Sequence, residues 1–238
     1  MRPWRLDAVV ASSFRSTARF RRARAFHPVG LAFRATVQVH GSAAAGPALA
    51  PGSHPAIVRF SRGIGWSPAL PDVHGVAIRL IDAHGPGRPQ DLLLSSVLSS
   101  RLGRFVPFLS ATVSGPFYST VAPYAGPQGR TVIGARFDGP PLRNLAALED
   151  AVWSGDCTLG LLVTTGLKAW SPLGSLRVHA DRLDREEEEA LDLDPWNTAE
   201  GFQPTGWVNH LRRPAYAASR QGRSEASTPT SPRLNSSR

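Results

Sequence analysis

Tyr216 is one of three tyrosines in the chain. It stands in the stretch HLRRPAYAASRQGR, residues 210–223, with Arg212, Arg213, Arg220 and Arg223 within seven residues of it. A phenol with an ordinary pKa near 10 is a poor metal ligand at neutral pH unless adjacent positive charge stabilises the phenolate, and arginine is a fixed source of that charge. Positions 212, 216, 220 and 223 are spaced i, i+4, i+8 and i+11, so a helix would line them up on one face. Taken alone, the segment supports two readings: a phenolate prepared for a metal, or a solvated basic helix carrying an amphipathic tyrosine. Two short pairs, Asp72-x-His74 and Asp82-x-His84, carry the carboxylate and imidazole groups that a metal or phosphodiester-cleaving site uses. To share one ion, they would have to be folded together by the stretch around residue 78. His27 in RARAFHPVG and Arg59 in AIVRFS also have plain readings, as a satisfied loop histidine and a guanidinium snorkelling to a rim.

These residues need a scaffold, and period-two alternation supplies it. Short apolar or alternating segments predict strands at 31–40, 56–61, 75–81, 90–96, 130–137, 158–165 and 173–180. The 22 glycines and 21 prolines gather between these segments, as a barrel or sandwich with many turns requires. Helical spacing of Leu142, Leu145, Leu148 and Val152 predicts one helix over 142–153, and the acidic run at 185–193 predicts a second, shorter one. The size of the chain, 238 residues with 42% hydrophobic content, fits one domain with appendages.

Charge narrows the function classes. The formal net charge is +9, but residues 1–24 and 217–238 carry all of it, and the middle of the chain balances sixteen basic against sixteen acidic groups. A nucleic-acid-binding domain would place a basic stripe on its core elements, so no nucleic-acid partner is expected. The single cysteine, Cys157, excludes an intramolecular disulfide and any C-x-x-C site, and its apolar surroundings predict a small buried hydrophobe. No apolar run reaches 18 residues, so no membrane-spanning segment and no membrane partner are expected. The arginine-rich start is read as an N-terminal arm (1–23) of a cytoplasmic chain, and 224–238, rich in Ser, Thr and Pro, as a disordered tail.

Three motifs in order carry a family resemblance: R-x-x-H-x-x-G at Arg24, His27 and Gly30, R-F-S at Arg59, and R-x-x-x-Y at Arg212 and Tyr216 with Arg223 seven residues on. Together with a D-L block at 91–92 and the later blocks LKAWSPLGSLRV, DREEEEALDLDPWN and GFQPTG, they resemble the haem catalase family over about residues 20–223. The resemblance implies a mostly β fold (α+β), an antiparallel β-barrel of the catalase core type with peripheral helices, over 24–223. It implies haem b, with Tyr216 as the proximal iron ligand and Arg212 holding it as phenolate. It also implies His27 on the distal side acting on peroxide, and Arg24, Arg59 and Arg223 on the haem propionates. Where the family carries a distal asparagine, this chain has Ser95 and Ser96, so these serines are the remaining distal candidates. Pro214, suited to a first helical turn, lies between Arg212 and Tyr216.

The chain is far shorter than full catalases and resembles the small catalase-related proteins. The expected activity is that of a hydroperoxide-dependent peroxidase with weak or absent catalase turnover, using an unknown reductant. The alternatives are a non-enzymatic binding module on the same fold, or a phosphodiester hydrolase built on the Asp/His pairs.

Overall fold

Alternating side chains along a strand point to opposite faces. In β1 (Val29–Val39) this puts Leu31, Phe33, Ala35, Val37 and Val39 inside, with Arg34 and Gln38 outside. The computed structural model describes residues 29–42, 44–65, 67 and 70–205, all within a compact unit spanning 26–210. Eight more strands follow β1: β2 (Gly52–Arg62), β3 (His74–Leu80), β4 (Gln90–Val97), β5 (Phe117–Ser119), β6 (Tyr124–Gly126), β7 (Gly129–Asp138), β8 (Thr158–Thr165) and β9 (Ser171–Arg182).

All seven predicted strands are present. β5 and β6, at three residues each, are too short to show a period and escape sequence reading.

All pairings are antiparallel, in the order β5-β4-β3-β2-β1-β9-β8-β7-β6, and β5 also pairs with β7. That pairing closes a ring of eight strands, and β6 is left as a hairpin partner of β7. Register shifts between Phe33 and Ala35 and between Leu161 and Leu162 mark bulges, which bend strands and help a sheet close.

The barrel is filled, not hollow. Phe33, Val58, Phe60, Ile78, Leu92, Tyr118, Ile133 and Leu159 pack in one core cluster. Cutting Ile78 to alanine there would cost about 2–5 kcal/mol.

Among the described residues the first helix, α1 (Leu145–Trp153), begins three residues later than the apolar spacing predicts. Asn144 takes the extended N-cap conformation, and its side chain accepts from the Ala147 amide. Leu148 and Val152 join the core cluster. The second, α2 (Arg185–Ala190), starts with a capping box between Asp184 and Glu187. Cys157 lies in the core, where burial pushes its thiol up to about 12, so it behaves as the expected small hydrophobe.

Candidate functional site

Phe60 and Val58 point into the barrel, so Arg59 and Ser61 of β2 point outward. Register carries that outward level around the wall. Gly30 faces Ser61, Ser61 faces Gly75, Gly75 faces Ser95, Ser95 faces Ser119, and Ser119 faces Gly134. Across β1, β2, β3, β4, β5 and β7 this level holds only glycine or serine. At this level the outer wall is therefore a floor of backbone bearing at most hydroxyls, and at its β5 end Ser119 is buried, its hydroxyl donating to the Arg104 carbonyl.

The floor has different edges. At β1–β2 the Arg59 guanidinium lies over Gly30: a methyl group there would stand 2.6 Å from Nη2, 2.7 Å from Cζ and 2.6 Å from the Phe60 carbonyl oxygen. Only glycine admits that approach. Arg59 is buried, and its Nε donates to Glu188 Oε1 of α2 at 3.0 Å. Burial pushes the Arg59 guanidinium down from its ordinary value, and the Glu188 carboxylate opposes that shift. At the β7 edge Phe117 and Trp170, with ring centroids 4.9 Å apart, close over Gly134.

The two distal candidates differ in direction. Ser95 is half-buried on the floor, two strands or about 10 Å from Ser61. Ser96 points the other way, pairs with Tyr118, and is buried. Its hydroxyl accepts from the His74 amide at 3.0 Å and donates to the Phe108 carbonyl at 2.7 Å.

The Asp/His pairs do not converge. The stretch around residue 78 is the continuous strand β3, which sets Asp72 and His74 at one end and Asp82 and His84 past the other, about 20 Å away. Asp72 accepts from the Ile64 and Gly65 amides and pairs with Arg62 Nε at 3.2 Å. His74 Nε2 donates to the Ser110 carbonyl at 3.1 Å, leaving Nδ1 buried without a partner. Burial pushes the His74 imidazole below its ordinary value, which favours the neutral ring. Asp82 accepts from the Gly87 amide, and His84 bonds to the Gln90 side chain. Among the described residues no group of three or more His, Cys, Asp or Glu is placed to hold a metal.

The sequence presents Asp91 only as a strand residue and part of the D-L block, with no partner named. Its carboxylate takes a two-pronged contact from Arg79, Nε at 2.7 Å and Nη2 at 2.6 Å, and also accepts the Asp194 amide and Asn197 Nδ2, each at 2.9 Å. Arg79 reaches the Asp192 carbonyl as well. The Asp91 carboxylate holds the Arg79 guanidinium above its ordinary value. This clamp fastens the DLDPWN segment to the outer wall, directly after the helix that carries Glu188 to Arg59. The acid and amide content of DLDPWN was the one available signal, and it names no partner.

Arg24, His27, Arg212, Tyr216 and Arg223 lie outside the described residues. The other two tyrosines are committed to structure. Tyr118 is buried and donates to the Val113 carbonyl, and burial pushes its phenol upward, against ionisation. Tyr124 is buried and stacks on Phe202 at 4.8 Å.

No protein-family model and no curated protein sequence matches this chain. Its fold is similar to solved catalases. Catalase A from Saccharomyces cerevisiae superposes with a TM-score of 0.63 at 13% identity, over 94% of this chain and 66% of that one. A fungal catalase gives 0.58 at 12% identity, over 87% and 61%, and a bacterial catalase 0.57 at 15%, over 93% and 61%. The chain thus spans less than two thirds of the length of each. What is shared is the catalase-like barrel.

Proposed function

We propose that this catalase-like barrel binds haem b and acts as a hydroperoxide-dependent peroxidase with little oxygen release of its own. The observation that carries the reading is the glycine–serine floor beside a buried guanidinium: a planar group can lie flat on backbone there, with a propionate at its edge. The donor chemistry fits, because the planar guanidinium fork matches a carboxylate in two-pronged geometry. In this reading Arg24, Arg59 and Arg223 hold the propionates, and Tyr216 supplies the anionic oxygen ligand, kept as phenolate by Arg212. With Tyr118 and Tyr124 committed to the barrel, Tyr216 is the remaining tyrosine for that role.

When bound, the haem iron supplies the redox centre at which the peroxide O–O bond breaks. His27 takes the hydroperoxide proton on a ring nitrogen and returns it to the departing oxygen, serving as base and then acid. Ser95, the serine on the Arg59 side of the wall, is a short donor where the family has an asparagine. A second peroxide is therefore poorly held, which favours an organic reductant over disproportionation.

One observation favours the haem-free binding module: Arg59 already has a carboxylate partner in Glu188. Absorbance decides between the two. Protein from haem-replete cells should show a Soret band, and Tyr216→Phe should lose haem with its fold intact. No Soret band in the wild type, or unchanged haem content and spectrum in Tyr216→Phe, would overturn the assignment.

A further inference from the structure

Nine large apolar side chains are exposed among the described residues, and five of them, Leu98, Leu102, Val106, Phe108 and Leu109, fall in the excursion that follows β4. A sixth, Leu70, lies two residues before Asp72, whose amide and carbonyl both bond to Ser110 at the end of the same excursion. The excursion is held firmly. Val97 bridges Pro107, the Phe108 amide bonds to the Ser96 carbonyl, and a 3-10 turn at Gly103–Phe105 closes its tip.

Its polarity is inverted. Arg104 is 1% exposed, stacked 4.5 Å over Trp170 with Nη1 on the Lys168 carbonyl, while Leu102 is 71% exposed and Val106 62%. A loop facing water would bury the leucine and expose the arginine. The stretch of chain that holds it carries one sign of charge: from Leu92 through Phe137 there is no Asp or Glu, against Arg101, Arg104, Arg130 and Arg136.

We propose that the 98–109 excursion docks the chain on an anionic lipid surface, its leucines, valine and phenylalanine entering the headgroup region and Arg101 meeting lipid phosphates. An apolar knob with cationic flanks gains on such a surface from burial and from charge together, without matching a particular shape. A second copy of the chain is a poorer occupant, since two such loops would bring Arg101 against Arg101 with no carboxylate between residues 92 and 137 to relieve them. The docking is peripheral: no described helix is long and apolar enough to cross a membrane. The expectation of no membrane partner rested on spanning runs, which a folded loop does not need.

The test is flotation of the full chain with phosphatidylcholine vesicles, with and without phosphatidylglycerol. Leu102→Ser/Val106→Ser changes no charge, so it separates the loop from the basic ends of the chain. Selective binding to the phosphatidylglycerol vesicles that falls at least about tenfold in this variant, at an unchanged melting midpoint, supports docking by the loop. Arg101→Gln should cost about fivefold. Should the double variant melt early, Leu98→Ser/Leu109→Ser gives the same comparison. Wild-type-like binding by a folded variant overturns the proposal and assigns binding to the basic ends. Equal binding to neutral vesicles, or none to either kind, also overturns it. So does concentration-dependent self-association that the variant abolishes while vesicle binding is unchanged.

Discussion

Arg79 and Arg104 are both set against the outside of the same barrel, and their charges are handled in opposite ways. Arg79 has a carboxylate, a carbonyl and two more acids nearby, and the whole network serves to hold a chain segment in place. Arg104 is more deeply buried and has a carbonyl and an indole face. Its Nε, like Trp170 Nε1, is buried without a hydrogen-bond partner. Burial, with Arg101 adding to it, pushes the Arg104 guanidinium down from its ordinary value. Full compensation marks a structural clamp, whereas an arginine left without a carboxylate keeps its side of the wall positive. Arg59, over Gly30 and against Glu188, stands between the two.

The largest test of this contrast removes one member of each arrangement. Asp91→Ala strands Arg79 together with the Asp194 amide and the Asn197 side chain, so denaturant unfolding should show a loss of about 3–5 kcal/mol. Arg104→Met removes a charge that no carboxylate compensates, and stability should stay within about 1 kcal/mol or rise. Equal large losses in both variants would show the two arginines to be energetically alike.

The intermediate case is Arg59. Gly30→Ala would place a methyl group inside contact distance of the guanidinium and the Phe60 carbonyl, costing about 1–3 kcal/mol on the same measurement. Haem content in preparations from haem-replete cells should fall with it. Unchanged stability and haem content would mean that Arg59 is not seated by that glycine.

A smaller effect is expected from His74, which faces Asp72, Arg62 and the Ser110 carbonyl. Its folded pKa lies below the ordinary 6.5 because burial disfavours the imidazolium. The unfolded chain therefore binds the proton first. Stability from this group is complete above pH 6.5 and declines as pH falls from 6.5 toward the folded value, by at most about 1.4 kcal/mol per pH unit. His74→Gln should flatten that part of the stability–pH profile. A profile identical to wild type would remove His74 from the account.

The smallest stability change, within about 0.5 kcal/mol, is expected for Ser95→Asn on the half-buried floor. Its readout is the ratio of oxygen release to peroxidase turnover, which should rise as a longer donor becomes available. No change in that ratio would separate Ser95 from the distal site.

Strand positions were legible because a half-buried strand writes its own two-residue period, and 31–40, 130–137 and 158–165 all do so plainly. β5 and β6 were not, since three residues carry no period and these strands exist through their neighbours in the ring. Arg59 was visible as a motif residue and Glu188 as one acid in a run of four, but nothing in the chain order pairs them across 129 positions.

Local patterning by itself determined a β-rich chain with two helices, a neutral middle between basic ends, a buried lone thiol, and an ordered set of motifs like those of catalases. Tertiary structure alone decided that the ring closes through β5 and β7, that Ser95 and Ser96 face opposite sides, that β3 keeps the two Asp/His pairs apart, and that Arg104 turns inward while Leu102 turns out. The reason is physical: periodicity reports which side of an element meets the core, and that is a local property. Partners, closure and orientation at loop tips depend on register between strands far apart in the chain, which becomes defined only when the sheet has wrapped onto itself.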